Sequence, residues 1–403
     1  MKQVYDRKEN CFGCSACMSA CPVNAIEMKE DKHGFLFPVI DQQKCIDCGK
    51  CKRSCQIFEH HNIVETWEEP EVYVCHNLDR EDRFQSSSGG IAHVLAQYIL
   101  QNQGVVFGAV YDENMNVQHV AISNIDDCNK IRKSKYVQSN MQDTFFEVEK
   151  ILRLGKKVLF IGTPCQIGGL YQFLGKDYDG LYTVDLICFG VPSPLVFKEY
   201  ISWFEKKERQ KVTFVDWRDK KKGWSVSSTK IVCKSGKEYT MDSNQNEYYQ
   251  TFSSHIAIRE ACGNCIYTNI KRYADLTVGD YWGIEKFKPN YDTFEGVSKV
   301  LINTEKGKAL FMKISDKLYM ERMPIETAIR PNLLAPLKLH EKRNEFFNYF
   351  EKKGFYKAYR KYVFSKKENK YIRKVYGGSG SADGFHQGTD GTCQEVESSA
   401  DRC

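Results

Sequence analysis

Four cysteines fall within eleven residues in CFGCSACMSACP, and the same spacing returns in CIDCGKCKRSC thirty-four residues later. Cys11, Cys14, Cys17 and Cys21 follow the pattern C-x2-C-x2-C-x3-C-P; Cys45, Cys48, Cys51 and Cys55 repeat it. Two residues between thiols let one turning loop wrap three sulfurs around a face of an iron-sulfur cube, while the fourth cysteine points at the other cube. The expected ligand sets are therefore crossed: Cys11, Cys14, Cys17 and Cys55 for one [4Fe-4S] cluster, and Cys45, Cys48, Cys51 and Cys21 for the second. A zinc site would use two C-x2-C pairs with a long spacer, and a third thiol three residues on adds nothing to a tetrahedral ion. Pro22 fixes the turn after Cys21 without spending an amide donor. The second copy carries Gln56 there.

Over about the first sixty residues the pattern resembles the bacterial two-cluster ferredoxins. Four further thiols sit apart from it. Cys165 in FIGTPCQIGG follows a strand at a proline-marked helix start, Cys188 in DLICFG ends the next strand, and Cys262 and Cys265 form a C-x2-C pair in EACGNC. Strand ends of an α/β sheet share one rim. A lone C-x2-C reads as zinc, a redox pair or neither, and Cys165 alone reads as a helix-activated nucleophile. Together the four are candidates for a third cluster.

The elements that must position these thiols show in the periodicity. Between the two copies, GFLFPVID alternates Phe35, Phe37 and Val39 on one face, as a half-buried strand would. A polar stretch through EHHNIVETWEEPE, with the adjacent His60 and His61, reads as a linker. From Tyr73 onward strands (VVFGAVYD, VQHVAIS, KVLFIG, LYTVDLICFG) alternate with helices (GGIAHVLAQYILQNQG, DTFFEVEKILRLG, one from about Gln166, SPLVFKEYISWFEKK), which predicts an α/β body with a partly parallel sheet. STKIVCKSGKEYTMD predicts a hairpin turning at Ser235 and Gly236. QSSSGGIAHVL places Ser86, Ser87, Ser88, Gly89 and Gly90 at a helix start, suited to a phosphate or, more commonly, to N-capping. Lys133, Lys135 and Tyr136 in RKSKYVQSN could reach phosphate or stack on a ring, or form a solvated basic loop. No GxGxxG follows a strand, so a flavin would need another architecture.

The chain has 403 residues, 42% hydrophobic and 13% aromatic, enough for two or three globular domains. Its seventeen cysteines are too many, and odd in number, for a disulfide framework; a reducing compartment fits, and a cytoplasmic address is expected. The charged start has no apolar leader, and no run of residues is apolar enough to span a bilayer. A formal charge of +6 from 58 basic and 52 acidic residues does not call for nucleic acid. Residues 341–376 interleave Lys and Arg with Phe and Tyr, but Phe346, Phe347, Phe350, Phe355 and Tyr359 recur at near-helical steps and are expected to pack on the body. The Gly, Ser and acidic residues of 377–403 predict a disordered tail.

SSSGG, SKYVQS, GTPCQIGGL, VDLICFGVPSP, RDKKKGW, CGNC and DLTVGDYWGIEK occur in the order seen in the coenzyme F420 hydrogenase/dehydrogenase beta-subunit family, which residues 72 to 340 resemble. The resemblance implies an α+β ferredoxin-like module (residues 1–60), a linker (61–72), and an α/β flavin-binding body with a mixed sheet, in two parts (73–215 and 216–340). It implies FAD beside Ser87, Ser88, Gly89, Gly90, Lys135, Tyr136, Gly162 and Thr163, and names Cys165, Cys188, Cys262 and Cys265 as cluster ligands. Phe189 stands where many relatives carry histidine. The implied activity passes single electrons between [4Fe-4S] clusters and FAD, with ferredoxin or another redox protein as partner and a hydride-exchanging small molecule such as coenzyme F420 as substrate. The alternative is a non-catalytic electron-transfer or docking subunit of a larger complex. No catalytic side chain is singled out.

Overall fold

The computed structural model describes residues 4, 5, 7–58 and 63–364. The His60–His61 pair, Cys393, Cys403 and the Gly/Ser-rich tail lie outside the described residues.

In the N-terminal module each cysteine loop closes with one helical turn, α1 (Ala16–Ser19) and α2 (Lys50–Arg53). Gly13 and Asp47, and again Ser15 and Gly49, take positive φ at matching places in the two copies, so the sequence repeat is also a backbone repeat. Alternating left-handed residues turn the loop tightly enough to aim successive thiols at one centre. An antiparallel hairpin, β1 (Ile26–Glu30) and β2 (Leu36–Ile40), joins the copies. Phe35 and Phe37 are buried, as their alternation predicts, but Val39 is 45% exposed. The body covers only the Phe35–Phe37 end of that face: Arg259 lies over the Phe37 ring and Phe347 meets Phe35 edge-on.

The body is built on an eight-stranded mixed sheet of β3 (Glu71–Asn77), β4 (Val105–Tyr111), β5 (Val117–Ile122), β6 (Val158–Gly162), β7 (Leu181–Leu186), β11 (Leu276–Asp280), β12 (Ser298–Ile302) and β13 (Leu318–Met323), in spatial order β13-β3-β12-β11-β7-β6-β4-β5. Strands β4, β6, β7 and β11 are mutually parallel; the outer pairings are antiparallel. Parallel strands need cover on both faces. One face receives α4 (Ile91–Gln101) and α9 (Glu305–Met312), whose Leu95, Ile99 and Phe311 pack on Leu159, Val184 and Val300. The other receives α5 (Thr144–Arg153) and α6 (Pro164–Leu174), with Phe145, Ile167 and Leu170 against Phe107 and Phe160.

A short helix, α3 (Arg80–Phe84), follows β3 and was not legible in the periodicity. Helix α6 begins two residues before the Gln166 expectation, because Thr163 and Gln166 form a capping box and Pro164 takes the first helical position. β7 ends at Leu186, so Cys188 lies on the loop beyond the strand.

Beside the sheet, α7 (Pro194–Glu208) packs on a three-stranded antiparallel sheet of β8 (Val212–Asp219), β9 (Ser228–Cys233) and β10 (Glu238–Asp242), followed by α8 (Glu247–Ser253). The β9–β10 hairpin is the one predicted. Two final helices, α10 (Arg343–Lys353) and α11 (Phe355–Tyr362), bury Phe346, Phe347, Phe350, Phe355 and Tyr359 in the same core as Phe35 and Phe37. No helix among the described residues is long and apolar enough to cross a membrane.

Candidate functional site

The N-terminal thiols feel one another mostly within the two expected sets, although Cys17 also feels Cys51 of the other set. Burial, with the neighbouring Cys55 and Cys11 thiols, pushes the Cys14 thiol up to about 12. Cys17 is pushed well above the usual thiol range by burial and by Cys14, Cys11 and Cys55. Cys51 is raised by burial and by Cys21 and Cys45, and a small recess is lined by Cys21, Cys45, Cys48 and Cys51 together. Among the described residues no three His, Cys, Asp or Glu side chains are close enough to grip a single ion. Thiols about 3.8 Å apart would be needed for one tetrahedral zinc. The amides of Ala25 and Ala16 point at Cys21 and Cys14, as cluster thiolates require.

The four distant thiols converge as well. Cys165, in the first turn of α6, feels Cys265 and Cys188; Cys188, beyond β7, feels Cys262 and Cys265; Cys262 feels Cys165 and Cys265. Burial pushes Cys188 and Cys262 up to about 12 and raises Cys165 and Cys265 too. Amides of Gly190, Val191 and Tyr267 face Cys188, Cys262 and Cys265. Thiols of raised pKa keep their protons and are poor nucleophiles, whereas a bound cationic centre would stabilise four thiolates at this half-buried place.

The loop that carries Cys265 is pinned by Arg272. Its guanidinium donates to Asp185 Oδ2 at 2.9 Å and Tyr267 O at 2.7 Å, and both charged side chains are almost fully buried. Burial raises the Asp185 carboxyl, and Arg272 offsets part of that. Removing one partner leaves an uncompensated buried charge. Arg272→Met is therefore expected to cost about 3–5 kcal/mol in anaerobic denaturant unfolding, most of it recovered in the double variant Asp185→Leu/Arg272→Met.

The residues expected near a flavin gather on the same rim of the sheet. Gly162 and Thr163 end β6 and cap α6, and Thr163 Oγ1 lies 3.2 Å from Cys165 Sγ. Ser87 Oγ meets Ser134 Oγ at 3.1 Å and accepts from Ser134 N, so the SSSGG turn and the Lys133–Tyr136 loop touch. Ser88 Oγ and Gly89 N both meet Ser298 Oγ at the start of β12. The serines do not cap α4: Gly90, at φ 91°, holds the N-cap position without a side-chain bond. A Cβ on Gly89 would lie 2.6 Å from Cys75 O, which keeps this turn close to the sheet edge. Tyr136 stacks on Phe252 with centroids 4.6 Å apart, and burial pulls the Lys135 ammonium down to about 7.

The structure brings two side chains to this rim, Lys220 and Arg218, that had no role in the sequence, together with Lys133. Lys220 is 1% exposed, and its ammonium donates to three carbonyls, Arg83 O, Ser88 O and Glu295 O, at 2.6–2.7 Å; burial pulls it down to about 6. Lys133 pairs with Asp216 at 2.8 Å, and Arg218 lies over the Trp282 ring and beside Asp280. With Lys220 pulled down to about 6 and Lys133 and Arg218 each facing a carboxylate, these groups carry little net positive charge of their own.

Residues 155–328 match the family model for the C terminus of the coenzyme F420 hydrogenase/dehydrogenase beta subunit, and residues 10–57 match that of a 4Fe-4S dicluster domain. The chain is 23% identical over 347 residues to an uncharacterized protein of Methanocaldococcus jannaschii, covering 77% of this chain and 88% of that one. It is 24% identical over 339 residues to the coenzyme F420-dependent sulfite reductase of the same organism, covering 83% of this chain but 51% of that protein, so it spans about half the length of that relative. A chain of the F420-reducing [NiFe] hydrogenase complex from Methanosarcina barkeri superposes at a TM-score of 0.41 with 20% identity, covering 73% of this chain and 91% of that one.

Proposed function

Because the chain belongs to the coenzyme F420 hydrogenase/dehydrogenase beta-subunit family and carries a 4Fe-4S dicluster domain at its N-terminus, we propose that it is an iron-sulfur flavoprotein oxidoreductase relaying electrons between a redox protein and a hydride-exchanging organic substrate such as coenzyme F420. When bound, iron-sulfur cubes exchange single electrons, and FAD would combine two of them with a proton so that they leave together as one hydride.

In this reading Cys21, Cys45, Cys48 and Cys51 hold the outer cube, and Cys11, Cys14, Cys17 and Cys55 the inner one. Cys165, Cys188, Cys262 and Cys265 hold a third. The observation that carries the reading is the junction between the inner and third sets: one side chain, Gln56, bonds both Cys14 Sγ and Cys165 O. Thr163 and Gly162 then lead from Cys165 to the rim, where Ser87, Ser88, Gly89, Gly90, Lys135 and Tyr136 would seat FAD.

The outer set opens to solvent. Cys48 is exposed, Ile46 is 63% exposed, and Lys44, Lys50, Lys52 and Arg53 stand nearby. That supports a docking place for an acidic redox protein such as a ferredoxin.

Anaerobically purified protein tests the reading. About one acid-releasable flavin per chain is expected, bleached by dithionite and recovered on adding oxidised coenzyme F420. Iron without flavin would leave an electron-transfer or docking role; recovery by another oxidant but not by F420 would move the substrate elsewhere.

A further inference from the structure

Gln56 occupies the place where the first cysteine copy has Pro22. It is 2% exposed, and a buried primary amide must place two N–H donors and one carbonyl acceptor. All three are placed. Nε2 donates to Cys14 Sγ at 3.1 Å and to Cys165 O at 2.9 Å, and Oε1 accepts from the Tyr267 hydroxyl. The orientation of the amide follows from its partners, because a backbone carbonyl and a cluster thiolate can only accept.

Helix α6 is shaped to admit this contact. Gly168 and Gly169 sit side by side in its interior, each costing about 1 kcal/mol of helix stability relative to alanine. A Cβ at Gly168 would fall 2.8 Å from Gln56 Oε1 and deep inside the Tyr267 hydroxyl; one at Gly169 would fall 2.8 Å from Cys14 Sγ. The helix backbone is thus bare where the amide and the inner thiol press against it.

An N–H donated to a cluster sulfur stabilises the more negative, reduced state and raises the potential. Reduction adds one electron to the thiolate-bound cube and changes no bond or proton at Gln56. The matching place in the other copy offers no such donor: Pro22 lines the recess that holds Cys48 and has no N–H. We propose that Gln56 is a positioning residue that raises the potential of the inner N-terminal cluster while fixing Cys14 to the Cys165 turn, which favours an electron on the cube that faces the body. The inference rests on the cluster reading above.

Anaerobic wild type, Gln56→Met and Tyr267→Phe are titrated with dithionite under EPR detection, with iron counted in each. Methionine keeps the length of the side chain and removes its donor; phenylalanine frees the amide oxygen and loosens its aim. In Gln56→Met one N-terminal signal is expected to shift negatively, so that at its wild-type midpoint the reduced-to-oxidised ratio falls about tenfold, 59 mV for one electron, while the other signal stays. Tyr267→Phe is expected to shift the same signal in the same direction by less. Unmoved signals at full iron content, or equal movement of both, would overturn the proposal. If Gln56→Met loses iron, Tyr267→Phe decides alone. A wild type with fewer than about eight irons would instead overturn the cluster reading itself.

Discussion

Replacing Cys262 and Cys265 by serine is expected to lower the iron content of the anaerobic protein from about twelve per chain to about eight, with both N-terminal EPR signals retained. The thiols of the third set meet one another across elements that the fold places independently: a helix start, the loop beyond β7 and the Cys262–Cys265 loop. Each is buried enough to be raised, so four protons must leave for four thiolates to bind metal, and only a cluster of several cations offsets that in a desolvated site. Serine keeps the volume but is a poor ligand. The N-terminal sets draw no ligand from residues 262–265, so their irons stay. Bound flavin is expected to remain near one per chain but to lose its rapid reduction by a reduced ferredoxin, read by stopped-flow absorbance. An iron count already near eight in wild type, unchanged in the variant, would remove the third cluster and leave Cys165, Cys188, Cys262 and Cys265 as a metal-free group.

The cysteine repeat was legible because its ligands are local. Every interval between thiols within the two loops is two or three residues, and the expected crossing of Cys21 and Cys55 rests on the helical turn before each. The third set spans a hundred residues, and only half of it could be placed: the ends of β6 and β7 share a rim by topology, which brings Cys165 and Cys188 together, but nothing local says where the Cys262–Cys265 loop lands. Arg272 decides that, through a buried carboxylate on β7. Lys220 was missed for the opposite reason. In RDKKKGW it reads as one of three solvated lysines, yet Lys221 and Lys222 stay outside with surface partners while Lys220 turns inward to three carbonyls. Such a site is made by backbone oxygens, which leave no trace in side-chain pattern. The serines of SSSGG show the same limit: their partners, Asp82 O, Ser134 and Ser298, come from a preceding helix and two other segments.

Arg259→Met is expected to loosen the ferredoxin module from the body without emptying its clusters. The guanidinium is 1% exposed and sits where the two meet. It donates to Cys11 O at 2.7 Å, Leu36 O at 3.0 Å and Gln138 Oε1 at 3.0 Å, and it lies 4.3 Å over the Phe37 ring. Two acceptors belong to the module and one to the loop that also reaches Phe12 O. A planar fork can satisfy all three at once; an ammonium at the same place cannot. Methionine fills most of the volume but leaves three buried oxygens without their charged donor, each worth about 1.5–3 kcal/mol and not fully additive. About 3–5 kcal/mol of lost stability follows, and it is local, because the thiols of the module are held by its own loops. Hydrogen exchange should therefore quicken first at the amides of Leu36–Ile40 and of the Cys11–Cys17 loop, with iron unchanged at short times. Arg259→Lys should recover only part of the protection. Uniform faster exchange across β6, β7 and β11 would show instead that Arg259 supports the whole core and that the module and body unfold as one.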